Sequence, residues 1–185
     1  YAPESGDVET LRLIRKKIRP ERMIRSMRSA VRAGCNVKAN FVFGFPTDSY
    51  ASLFSSFRFL ARAAAVGVHD ISLAPFRPYP GSALFRELQE GGEIPRVLDD
   101  AYYRDLAVTQ ETMPWAKTRA CSYSPQLSPA GLAWMQLLGL ASFYAISWTL
   151  RPWRVALLVR AFVTGKQSSR LDKALAELRQ RLLRT

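Results

Sequence analysis

Val37-Lys38-Ala39-Asn40-Phe41-Val42-Phe43-Gly44-Phe45-Pro46 is an apolar, β-branched and aromatic run that stops at a glycine and a proline. Such a run predicts a mostly buried strand, broken by Gly44-Phe45-Pro46. Asp48 or Ser49 then offers an N-cap, and Leu53, Phe57, Leu60, Ala61 and Ala64 recur at helical spacing up to Gly67. The pattern then starts again. His69-Asp70-Ile71-Ser72-Leu73-Ala74-Pro75-Phe76 reads as a second strand, Arg77-Pro78-Tyr79-Pro80-Gly81 as its exit loop, and Ser82 as the cap of a short helix from Ala83 to Glu90. A strand, a crossover helix and a strand in succession predict a right-handed βαβ unit, with residues 36–44 and 69–76 as adjacent parallel strands and 49–66 as the crossover. The fold class is therefore α/β, either a barrel or an open doubly wound sheet.

Upstream, Asp7 can cap a helix from Val8 to about Lys17 with Val8, Leu11 and Ile14 on one face. Pro20 suits the first turn of a second helix, whose stripe is Met23, Met27 and Val31 and whose stop is Gly34. Tyr1-Ala2-Pro3-Glu4-Ser5-Gly6 reads as the end of another strand running into a turn, so the N-terminus is expected to be a cut. Downstream, residues 91–130 are richer in Pro, Gly and polar residues and read as a connection with one helical turn near Asp100 to Val108. Residues 131–185 form a helical tail: Gly131 to Leu150 carries no charge, Arg151, Arg154 and Arg160 follow, and Ser168 to Leu183 is amphipathic.

The chain has 185 residues and a formal net charge of +12, concentrated at its two ends. The N-terminal Arg and Lys residues recur at helical spacing, as on a solvated helix face, and no nucleic-acid module accompanies them, so nucleic acid is not an expected partner. Cys35 and Cys121 lie far apart and His69 is the single histidine, which leaves no spaced ligand set for zinc or a cluster. No metal site is expected from this chain's own residues. Two distant cysteines and no visible signal peptide point to a reducing, cytoplasmic setting.

Ligands of parallel α/β sheets sit at the C-terminal ends of the strands. Three such ends are visible, at Pro3-Glu4-Ser5-Gly6, Gly44-Phe45-Pro46-Thr47-Asp48-Ser49 and Pro78-Tyr79-Pro80-Gly81-Ser82. Glu4 offers a carboxylate for a ribose hydroxyl or an ammonium, Gly44 lets a ring approach the backbone, and Pro46 and Pro80 stiffen their loops. Singly, each motif is ordinary turn chemistry. Their order, all at one edge, is what carries information, and Glu4, Gly44 and Pro80 are expected around one cleft.

In that order they resemble the radical S-adenosylmethionine (SAM) superfamily, in particular its cobalamin-binding branch, over residues 1–90. Members read Glu-Ser-Gly-Ser, Gly-Phe-Pro-Gly-Glu-Thr and Pro-Tyr-Pro-Gly-Thr after their fourth, fifth and sixth strands. This chain departs at Asp7, at Thr47, Asp48 and Ser49, and at Ser82. The resemblance implies the C-terminal half of a (βα)6 partial TIM-type barrel, followed by the tail. It further implies SAM lying across the strand ends and cleaved reductively by a [4Fe-4S] cluster, with cobalamin serving methyl transfer in some members. The CxxxCxxC cluster ligands and the cobalamin domain would lie upstream of Tyr1. By transfer, Glu4 and Ser5 would contact the ribose and amino-acid end of SAM, and Val42, Gly44 and Pro46 the adenine side. No catalytic residue is assigned, and the substrate is a small or lipid-like molecule of unspecified structure.

Two rival readings differ in class. A hydrolase or lyase barrel is disfavoured, because the strand ends show Glu4 and Asp48 but no His or Lys in acid–base positions. A non-catalytic α/β module that binds a membrane or a partner is the alternative. It draws on the tail, where the uncharged stretch, Trp134, Trp148 and Trp153 and a basic flank would suit peripheral membrane contact through residues 131–160. Gln136, Ser142 and Ser147 lower its hydrophobicity, so a helix that covers the barrel is the simpler expectation, with Arg151, Arg154 and Arg160 at its polar boundary.

Overall fold

The computed structural model describes residues 1–103 and 122–164. Six elements occupy the first part: α1 (Val8–Leu13), α2 (Pro20–Arg32), β1 (Lys38–Phe43), α3 (Tyr50–Val66), β2 (Asp70–Pro75) and α4 (Ala83–Glu90). Two more follow, α5 (Pro129–Leu150) and α6 (Trp153–Thr164). The expected tail helix at 168–183 and most of the turn at 100–108 fall outside the described residues; Asp100 to Tyr103 are helical.

β1 and β2 pair in parallel, Lys38 opposite Asp70 through Phe43 opposite Pro75, with α3 as the crossover. The fold is thus α/β, as the periodicity demands. On the other side of β1, residues 1–4 run alongside it: Tyr1 O accepts from Asn40 N–H at 3.0 Å, Glu4 N–H donates to Asn40 O at 3.2 Å, and Glu4 O accepts from Val42 N–H at 2.8 Å. Glu4 forms a parallel bridge to Phe41. The lateral order is therefore residues 1–4, then β1, then β2, which is also their order in the chain.

One face of this sheet supplies the main core. Ala39, Phe41 and Phe43 of β1 and Ile71 of β2 are buried together with Ile24 and Met27 of α2 and Leu53, Leu60 and Ala63 of α3. Alternation puts Lys38, Asn40 and Val42 on the opposite face, where Lys38 and Asn40 are exposed. Burying Phe41 and Phe43 contributes roughly 1.5–3 kcal/mol each, which fixes the strand's register because a one-residue slip would exchange the two faces.

The helix limits follow local chemistry. Ser49, not Asp48, caps α3, through a capping box in which Ser49 Oγ accepts from Ser52 N–H at 3.2 Å and Ser49 N–H donates to Ser52 Oγ at 2.9 Å. α2 and α3 end where expected, at Gly34 and Gly67, both with positive φ. α1 is shorter than its periodicity suggests: Ile14 is its C-cap, Arg15 turns left-handed at φ 56°, and Val8 points to solvent.

The uncharged tail helix α5 joins the main core. Leu132 and Phe143 are buried against it, Gln136 Nε2 donates to Leu73 O at 3.3 Å, and Tyr144 Oη donates to Asp70 Oδ1 at 2.7 Å. It lies beside α3 over β2, as a covering helix should. Arg151 and Arg154 depart from their expected place at a polar boundary. Arg151 donates to Ala64 O and Ala65 O, each at 3.0 Å, and Arg154 to Gly67 O and Val68 O, each at 2.8 Å. The last carbonyls of a helix lack intrahelical donors, and two guanidinium forks supply them here.

Candidate functional site

The parallel register brings the exits of residues 1–4, β1 and β2 to one edge, so the three motif loops share it. Glu4 adopts φ 62°, the left-handed region that a residue with a Cβ enters only when surrounding contacts impose it. Its two backbone bonds to β1 and an ion pair between its carboxylate and Lys16 Nζ do so. The carboxylate keeps part of its surface open, with the Glu4 side chain 23% and the Lys16 side chain 32% exposed.

Ser5 faces the other way. It is buried, its Oγ lies 3.1 Å from Ser56 Oγ of α3, and it accepts from Asp7 N–H at 3.1 Å. Next to it, a Cβ on Gly6 would stand 2.7 Å from Ser55 O and 2.8 Å from Ser56 Cα. The loop is therefore clamped to α3 by backbone contact, and the Ser5 hydroxyl serves that clamp.

The second loop is organised by Asp48, four residues after Gly44. Asp48 Oδ2 accepts from Gly44 N–H at 2.8 Å and Phe45 N–H at 3.0 Å, while Oδ1 accepts from Ser52 Oγ at 3.1 Å. The carboxylate is 4% exposed, and burial pushes its pKa above the ordinary value against the pull of these donors. Gly44 has φ 90°, and a Cβ there would meet Leu132 Cδ2 of α5 at 2.8 Å. The space beside this glycine is thus taken by the tail helix. Pro46 is half-buried and Thr47 exposed at the tip.

Val42, half-buried, belongs to a second apolar cluster with Phe45, Phe76, Phe85, Leu88 and Ile94, against which Tyr102 and Tyr123 also pack. Phe45 and Phe76 ring centroids are 4.8 Å apart, and Tyr123 meets Phe76 edge-on at 5.7 Å. Tyr102 Oη donates to Pro78 O at 2.6 Å, and burial raises the phenol to about 12. Residues of the expected connection therefore return over the strand ends and anchor the third loop. Sequence reading missed this wall; its signal was the density of aromatic residues at 102, 103 and 123 in an otherwise polar stretch.

Of the five predicted contacts, Glu4, Val42 and Pro46 keep accessible surface, whereas Ser5 and Gly44 are covered. Separately, a polar cleft of about 280 Å³ lies between α1 and the start of α3, lined among others by Asp7, Thr10, Thr47 and Ser49. It includes none of the five. Among the described residues, no group of three or more His, Cys, Asp or Glu could hold a metal ion. Cys35, exposed, precedes β1 and so lies toward the edge opposite Gly44, where it cannot serve a cluster at the strand exits. His69 lies at that opposite edge too, its Nδ1 accepting from Val37 N–H at 3.1 Å.

No protein-family model matches the chain. Over 80 residues, 43% of its length, the chain is 35% identical to a protein of Methanopyrus kandleri described as uncharacterized protein MK0932. The matched stretch is 15% of that protein, so the chain spans far less than two thirds of this relative.

Proposed function

We propose that this chain is the C-terminal portion of a radical SAM enzyme of the cobalamin-associated branch: half of a (βα)6 partial barrel, closed on its outer side by α5. The observation that carries the proposal is the asymmetry of the sheet. Its strands lie in chain order, α2 and α3 share one face, and the opposite face carries Lys38, Asn40 and Ser72, with Val42 and Ala74 toward the strand exits. A doubly wound sheet buries both faces under helices and requires apolar residues on each. A polar second face instead suits a barrel interior that receives a polar ligand.

In this reading SAM lies at the strand exits, with Glu4 holding its ribose or ammonium group and Val42 and Pro46 bordering the adenine. A [4Fe-4S] cluster, for which cysteines outside this chain would be the ligands, would supply the electron for SAM cleavage. Ser5 and Gly44, both covered, shape the loops that present Glu4 and Pro46.

The deciding experiment uses the intact parent protein. Its reading frame should encode a CxxxCxxC motif ahead of Tyr1, and after anaerobic reconstitution it should release 5′-deoxyadenosine from SAM. A frame without those cysteines, or a reconstituted protein that leaves SAM intact, would overturn the proposal and favour a non-catalytic module.

A further inference from the structure

Residues 153–160 of α6 are apolar apart from Arg154 and Arg160, and among the described residues they have little to pack against. Arg154 and Leu158, spaced one turn apart, are its half-buried positions, whereas Trp153, Val155, Leu157 and Val159 are 59%, 40%, 55% and 57% exposed. Leu150, at the end of α5, adds a further 52%-exposed side chain. This apolar sector begins where Arg154 reaches the carbonyls of Gly67 and Val68, so it stands at the N-terminal edge of the sheet, away from the motif loops.

The surroundings of the sector are basic. Arg151 lies where a Cβ on Gly67 would contact both it and Val31, which brings the C-terminal turn of α2, with exposed Arg32, beside it. Arg160 is exposed on α6 itself. Among the described residues no carboxylate pairs with Arg151 or Arg154. The nearby acid, Asp70, is buried and accepts from Tyr144.

From this juxtaposition we infer that α6 and the basic N-terminal edge of the sheet form a docking surface for an anionic lipid bilayer, with Trp153, Leu157 and Val159 entering the interface and Arg32 and Arg160 meeting lipid phosphates. An apolar sector with an interfacial tryptophan and a cationic rim has the chemistry of such a surface. The motif loops, at the opposite edge, then face away from the membrane. This inference stands independently of the SAM reading.

Flotation of the full 185-residue chain with phosphatidylcholine vesicles, with and without phosphatidylglycerol, tests it, since aggregates sink while bound protein rises. The wild type should float with the anionic vesicles and lose binding as salt is raised. Leu157→Ser/Val159→Ser should weaken flotation roughly tenfold or more, and Arg32→Gln/Arg160→Gln should remove the preference for phosphatidylglycerol while leaving the apolar sector intact. Both pairs are exposed, and an unchanged circular-dichroism melt verifies folding. Equal flotation of either variant and the wild type overturns the inference, as does equal binding to neutral vesicles. A lipid-free dimer that Leu157→Ser/Val159→Ser dissociates would also overturn it, by showing that a second copy covers the sector.

Discussion

Asp48 and Gly6 show how much of this edge depends on single atoms. Removing the Asp48 carboxylate leaves the buried N–H groups of Gly44 and Phe45 without their acceptor, so Asp48→Ala should destabilise the fold by about 2 kcal/mol or more. Asp48→Asn should be milder, because its carbonyl still accepts. Because burial raises the folded-state pKa of Asp48 above 3.8, the folded chain holds this proton more tightly than the unfolded chain does. Its contribution to stability is largest at low pH and is lost as pH rises from the unfolded value through the raised folded one. Urea titrations across that acidic range should show this slope in the wild type and its absence in Asp48→Asn. At Gly6 the neighbours are backbone atoms of α3 that cannot turn aside, and Gly6→Ala should cost about 1–3 kcal/mol by overpacking. A thermal melt unchanged by that substitution would overturn this close packing of the loop on α3.

The junction of α3, β2 and the α5–α6 turn makes the element scale visible. Gly67 and Val68 carbonyls end α3 on the Arg154 fork, so Arg154→Met should destabilise the chain by about 1–3 kcal/mol through orphaned acceptors. Arg154→Lys should restore only part of this, since one ammonium cannot reproduce the planar fork. His69 adds a pH dependence of opposite sense to that of Asp48. Its Nδ1 accepts from Val37 N–H, so the neutral ring carries its proton on Nε2, and burial followed by Arg154 and Arg151 lowers its pKa below 6.5. The unfolded chain takes up this proton more readily, so stability is full above the unfolded pKa and falls as pH drops through it toward the folded value. With a single histidine in the chain, His69→Gln should flatten the stability profile between about pH 7.5 and 5.5; a slope that persists in the variant would assign it to another group.

At the scale of the molecule, the sheet is open on the flank of residues 1–4, where no further strand pairs among the described residues. Unpaired N–H and C=O groups on an exposed strand recruit other strands. The 185-residue chain alone should therefore self-associate in sedimentation velocity. A monodisperse monomer would show that the flank is already protected. Anaerobic treatment of the same chain with iron and sulfide should yield no stoichiometric cluster, because a cluster of this class needs three thiolates and the chain has two cysteines.

The α/β class, the parallel pairing of β1 with β2 and the limits of α2, α3 and α4 were legible in the sequence, because each is set by short-range rules. A period-two run bounded by Gly44-Phe45-Pro46, Pro20 at a helix start, and glycines at helix ends act over a few residues, and tertiary packing agreed with them. The three loops at one edge followed from parallel order alone. What only the tertiary structure decided depends on residues far apart in the chain. Which face of Ser5 meets Ser56, why Leu132 fills the space beside Gly44, and how Tyr102 reaches Pro78 are contacts across 51, 88 and 24 positions. Arg151 and Arg154 looked like a polar boundary in sequence and are instead the cap of a helix more than 80 residues earlier. Periodicity states which residues must be buried; only the packed chain states what buries them, because contact between distant segments depends on how whole elements dock and not on any local pattern.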